Sequence, residues 1–186
     1  MKKLLVALIL AVSVLPLFGE TEIAGVSVGN SVSLGGRDFS LKGAGIRKKL
    51  ILKLYVGSLY TDRDINDESD ILKGPASSVI RLDIISDLIT SELMQETVQE
   101  GFDKAMGGDT SSLQPQIDRF IGVFSEEIEK GDQFTFVSIP GGGVTAWKGD
   151  RELTEVNDDR FREVLFSIWL GDEPADRKLK KAMLGG

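Results

Sequence analysis

The order in which strand-like and helix-like segments follow one another limits this chain more than any single motif. From Val26 to Lys49 short alternating runs are cut by glycines: VSVGNSVSLGG, then FSLKGAGIRKK. Val26, Val28, Val32 and Leu34 alternate as half-buried strands do. Ile51 to Tyr60 reads as the strongest strand, and VIRLDII at 79–85 returns to strand after a polar, acidic stretch from Thr61 to Gly74. Thr90 then caps a helix, TSELMQETVQEGFDKAM. A second helix is expected over roughly Ser112–Lys130, with Pro115 in its first turn and Gly131 after its end. QFTFVSI alternates as a strand, PGGG turns the chain, and VTAWKGDRELTEV reads as a hairpin about Gly149 and Asp150. Asp158 or Asp159 opens a third helix that Gly171 ends, and ADRKLKKAMLG closes the chain as a short helix. Strands and helices in separate blocks predict an α+β fold, an antiparallel-rich sheet with helices on one face.

The first residues, MKKLLVALILAVSVLPLFGE, have a short basic start, an apolar run from Leu4 to Val14, then Pro16 and the small Gly19. That order predicts a secretory signal peptide over residues 1–19, followed by one domain over 20–186. The run is shorter than the ~20 residues of a full span, so no stable membrane anchor is expected after cleavage. The expected location is periplasmic or secreted, in a bacterial cell. Of 186 residues, removal of 19 leaves 167, and the loss of Lys2 and Lys3 takes the net charge from −7 to −9. A chain this acidic is a poor partner for nucleic acid or for anionic membrane surfaces, where phosphate contacts supply most of the affinity.

Cysteine and histidine are both absent. Thiol nucleophiles, thiolate metal sites, disulfides and a serine–histidine triad are therefore excluded. No metal and no cofactor is predicted. Asp62, Asp64, Asp67, Glu68 and Asp70 crowd one segment, but DRDINDESD lacks the ligand spacing and central glycine of a calcium loop. PGGG is not followed by the helix, Lys and Ser/Thr of a phosphate loop. Trp147 and Trp169 stand apart from basic residues and read as packing side chains.

Arg47 and Tyr55 are the more informative pair. Read as one extended strand, a separation of eight keeps both on one face but sets them about 26 Å apart. They meet only if the chain bends, and Gly43 and Gly45 supply the expected bend.

GAGIRKKLILKLYVGSLY resembles the chalcone isomerase-like family, in which a Gly-Ala-Gly turn leads to an arginine and a long strand ending in tyrosine. The resemblance continues through VIRLDIISDLITSELMQETVQEGF and GDQFTFVSIPGGGVTAWKG, and is strongest in FREVLFSIWLGDEPADRKLKKAMLG. It implies an open-faced β-sandwich. It also implies that Arg47 holds a ligand. Tyr55 stands where the enzymes of the family carry a substrate-binding threonine, and Leu93 where they carry a tyrosine. Two of three positioning groups are replaced, so the resemblance implies binding without catalysis. Arginine and tyrosine together resemble the fatty-acid-binding branch, where they hold a carboxylate. The implied ligand is a fatty acid or similar amphipathic acid, its chain between sheet and helices beside Val98, Phe102, Phe120 and Phe124. An interaction protein with a collapsed cavity and an isomerase or lyase of another substrate are the alternatives.

Overall fold

The computed structural model describes residues 20–186, so the expected signal segment, residues 1–19, lies outside the described residues. Seven antiparallel strands form one sheet in the order β3 (Ser31–Leu34), β4 (Arg37–Lys49), β5 (Leu52–Thr61), β6 (Ser78–Ile84), β7 (Gln133–Ile139), β8 (Gly143–Lys148) and β9 (Arg151–Val156). A separate hairpin, β1 (Glu20–Ile23) and β2 (Val26–Gly29), precedes it. The helices are α1 (Ser69–Leu72), α2 (Ser91–Ala105), α3 (Gln114–Ile121), α4 (Asp159–Leu170) and α5 (Arg177–Met183). This is the α+β, open-faced β-sandwich expected from the block order and the resemblance.

Period-2 alternation sorts the sheet into two faces. Leu59, Ile80, Phe136 and Ala146 form one cross-strand row, fully buried under the helices. The next row, Tyr60, Val79 and Val137, points the other way into a smaller core with Phe39 and Val28 of the β1–β2 hairpin.

The helix caps lie where the sequence puts them. The Thr90 hydroxyl accepts from the Leu93 N–H at 3.2 Å, and the Asp158 carboxylate from the Phe161 N–H at 2.8 Å. The second helix is shorter than expected. It stops at Ile121, tightens into a 3₁₀ turn over Gly122–Phe124, and leaves 125–132 irregular. The Phe124 carbonyl is taken by the Ser91 hydroxyl and the Gln95 amide, so no later N–H continues the ladder there. Arg162 is buried on α4. Its guanidinium donates to the Ile71 and Leu72 carbonyls at 2.8 and 2.9 Å and pairs with Asp159 at 2.6 Å, which ties α1 to α4.

The expected bend at Gly43 and Gly45 is overturned. β4 continues as one strand through both glycines to Lys49, with irregular pairing to β5 at Leu41/Gly43 and Arg47/Lys48, and the chain reverses in a two-residue turn at Leu50 and Ile51. The parity that runs through Leu50 to Val56 therefore does not describe one strand. The glycines serve another purpose. A Cβ at Gly43 would lie 2.2 Å from the Ala182 carbonyl oxygen, and one at Gly45 would lie 2.6 Å from the Ala182 Cβ. Gly57 on β5 faces Leu179 in the same way. Three small positions thus let α5 lie directly on the sheet. Gly43→Ala is expected to cost about 1–3 kcal/mol by overpacking, measured by denaturant unfolding. Gly29→Ala, whose Cβ would meet only an ordinary contact at 3.5 Å, should change little by comparison.

Candidate functional site

The turn at Leu50–Ile51 folds β5 back on β4 and makes Arg47 and Tyr55 register partners. Directly opposed residues in an antiparallel pair have Cα atoms about 4.5–5.5 Å apart. The structure therefore brings together the two residues that a straight strand would hold about 26 Å apart. Both lie on the helix-covered face, Tyr55 7% exposed within the main core and the Arg47 side chain 18% exposed at its edge.

Tyr55 is set as a donor. The Trp169 indole N–H donates to its hydroxyl oxygen at 3.0 Å. That uses an acceptor site and leaves the O–H proton to be given elsewhere, since Arg47 carries donors only. Burial pushes the phenol above its ordinary pKa, against the opposing effects of the Trp169 N–H and the Arg47 charge. Tyr55 is thus neutral and proton-bearing at physiological pH.

Arg47 already holds a carboxylate. Its Nη1 donates to Asp176 Oδ2 at 3.3 Å and to the Lys48 carbonyl at 2.9 Å. The guanidinium also lies close enough to the Tyr55 hydroxyl oxygen to favour its ionised form. Asp176 is also the N-cap of α5. Its Oδ1 accepts from the N–H groups of Lys178 and Leu179 at 2.8 and 3.1 Å, and Oδ2 from the Lys48 N–H at 3.4 Å. Burial pushes the Asp176 carboxyl up. The N–H groups of Leu179, Lys48 and Lys178, with the Arg47 guanidinium, outweigh it and hold the carboxyl below the usual range. Sequence reasoning gives Trp169 a packing role only and misses Asp176. The aspartate just before the closing helix is a local signal for a cap, but its link to Arg47 spans 129 residues.

The four apolar candidates come together, deeper in. Val98 and Phe102 stand on α2, Phe120 on α3 and Phe124 in the 3₁₀ turn, all buried. The Phe120 ring centre lies 6.3 Å from that of Phe102, 6.0 Å from Phe124 and 5.2 Å from Phe136. Phe136 in turn lies 5.8 Å from Trp169, so ring contacts run unbroken from the Tyr55 partner to the far core. These side chains pack into the main core, and none of them lines the groove beside Asp176 or the cleft between α1, α2 and α4. A groove of about 480 Å³, lined by Ile23, Gly45, Ile46, Lys48, Leu50, Asp176 and Lys178, touches the Asp176 partner of Arg47 but includes neither Arg47 nor Tyr55. A wider cleft between α1, α2 and α4 is lined by Asp67, Glu68, Lys104 and Glu163 and does not include Arg47 or Tyr55. Among the described residues no three acidic side chains gather as a cation site. Leu93 is half-buried in the first turn of α2.

The arrangement therefore sets Arg47 and Tyr55 opposite each other on adjacent strands, with a protein carboxylate on the guanidinium. Asp176 has a lowered pKa, so its contribution to stability is full above the unfolded value of about 3.9 and is lost as pH falls through the folded value. The stability difference between the protein and Asp176→Asn, measured by urea unfolding, is expected to be present at pH 7 and to shrink as pH drops below about 4.

Residues 20–185 match the chalcone isomerase-like family. No curated protein sequence matches the chain. Among solved structures, the crystal structure of a fatty-acid binding protein of Arabidopsis thaliana superposes with a TM-score of 0.70 at 19% identity, covering 89% of this chain and 96% of that one. The chain belongs to the chalcone isomerase-like family, and its fold is that of the plant protein.

Proposed function

We propose that this member of the family binds a fatty acid or similar amphipathic carboxylate without turning it over, and does so outside the cytoplasm. One observation carries the reading. Arg47 and Tyr55 face each other across two strands, and the arginine is already occupied by a carboxylate of the protein's own. A ligand carboxylate would take the place of Asp176, accept two N–H donors from the guanidinium and a third from the Tyr55 hydroxyl. The description of the plant structure as a fatty-acid binding protein supports a lipid-like ligand. Leu93 and Tyr55 in place of the enzymes' tyrosine and threonine support binding rather than cyclisation, because neither an enone nor a phenolate would be oriented. The basic and apolar order of residues 1–19 supports export to a periplasmic or secreted location.

The acyl chain has a nearer place than the phenylalanine core. Leu179 and Met183 of α5 lie buried over Gly43, Gly45 and Gly57. When Asp176 leaves Arg47 and α5 lifts, those two side chains vacate a trough floored by glycine. Val98, Phe102, Phe120 and Phe124 would bound its inner end beyond Trp169. The closed phenylalanine core favours a second reading, an interaction protein with no ligand.

The test is titration with decanoate by calorimetry, after lipid extraction and mass spectrometry of the purified protein. Arg47→Ala is expected to abolish measurable binding. Asp176→Asn keeps the helix cap, since Asn and Asp cap about equally, but removes the competing charge. It should tighten binding by on the order of tenfold, about 1.4 kcal/mol. No acid in the extract and no heat of binding from either the protein or Asp176→Asn would favour the interaction protein.

A further inference from the structure

Among the described residues four large apolar side chains are strongly exposed: Leu50, Ile51, Leu52 and Leu88. All four sit at one end of the sheet. Leu50, Ile51 and Leu52 form the tip of the β4–β5 hairpin. Leu88 is on the loop that leaves β6 beside it, where the Ile85 N–H donates to the Leu54 carbonyl at 3.1 Å. Single exposed apolar residues are ordinary. Leu50 at 94% and Ile51 at 92% exposure, side by side, are not explained by packing. The turn is also made against backbone preference. Leu50 has φ 56°, a conformation in which hairpin turns ordinarily carry Gly, Asn or Asp. Folding alone would be better served by one of those.

Charge completes the pattern. Lys48, Lys49 and Lys53 flank the apolar tip, all exposed, and none forms an ion pair among the described residues. Asp87 is the one exposed acid on the neighbouring loop. Three free lysines around two leucines and an isoleucine are the composition of an interfacial membrane contact. We propose that the β4–β5 hairpin docks on an anionic lipid bilayer, with Leu50 and Ile51 entering the boundary between headgroups and acyl chains and Lys48, Lys49 and Lys53 meeting lipid phosphates. The net charge of −7 opposes adhesion elsewhere and so orients the molecule tip-first. The groove that contains Leu50 and Lys48 also contains Asp176, so docking sets that groove, and the partner of Arg47 within it, against the bilayer. The docking surface stands on its own observations and holds whether or not the site takes a carboxylate.

The chain has no cysteine, so one can be placed at will. Ile51→Cys in the full protein, carrying an environment-sensitive fluorophore, reports immersion of the tip itself. Its emission is expected to shift to the blue on vesicles of phosphatidylcholine with phosphatidylglycerol, and not on phosphatidylcholine alone. The same label at Arg37→Cys, exposed at the other end of β4, should not shift. Replacing Lys48, Lys49 and Lys53 with Gln is expected to weaken the apparent vesicle affinity by on the order of a hundredfold, about fivefold per lysine. Added salt should weaken it too. An Ile51 label that no vesicle shifts, or that neutral vesicles shift equally, overturns the proposal. So does a shift that appears with rising protein concentration alone, which would mean that a second copy covers the tip. Decanoate titration of the same samples separates the two readings: docking without acid binding keeps this surface and removes the ligand.

Discussion

The contact between Arg47 and Asp176 is the constraint on which the site depends. It joins the β4–β5 hairpin to the first turn of the last helix, 129 residues apart. One carboxylate caps α5, accepts the Lys48 N–H and neutralises the arginine. An arginine at the edge of a core would otherwise face a helix that carries Arg177, Lys178, Lys180 and Lys181, with no counter-charge, which is costly. The docking of α5 and the ionisation of Asp176 are therefore coupled. A helix of seven residues has little stability of its own, so its position is set by this contact, by Lys180, which pairs with Glu68 at 2.7 Å and donates to the Gly171 carbonyl at 2.9 Å, and by the close approach that Gly43, Gly45 and Gly57 permit.

Beneath that contact the site is built from the sheet and the aromatic core on one side and a short helix on the other. Tyr55 and Trp169 belong to the main core, hold each other by a hydrogen bond, and continue into the rings of Phe136, Phe120 and Phe124. Close-packed rings do not part readily. Leu179 and Met183 are buried in the same core but reach it on a helix of seven residues. The ligand reading uses this difference: donors preorganised on the sheet, and a lid whose own carboxylate competes for them. Preorganised donors spare a ligand the cost of ordering them.

Much of this is legible in the sequence. Thr90 and Asp158 announce their helices because a cap is a local interaction. Gly131 and Gly149 mark turns because they adopt positive φ, at 99° and 56°. The α+β order and the importance of Arg47 with Tyr55 are also readable. The hairpin that joins the pair is not, because Leu50 and Ile51 carry none of the residues by which tight turns are recognised. The strand therefore reads as unbroken, and the bend falls to glycines that instead make room for α5. The over-long second helix has a similar cause. Ile121, Phe124 and Ile128 keep a helical stripe, but the Phe124 carbonyl finds its partners on α2. The part of Asp176 is hidden because its partner lies at the other end of the chain.

Hydrogen exchange of α5 in the presence and absence of decanoate tests the exchange of carboxylates most directly. If a ligand takes the place of Asp176 on Arg47, the amides from Leu179 to Met183 must exchange faster when decanoate is added, while those of α4 around Trp169 slow or stay unchanged. Slower or unaltered exchange in α5 on a sample that binds the acid would contradict the displacement, and would leave the Arg47–Asp176 pair a fixed structural contact rather than a site that a ligand enters.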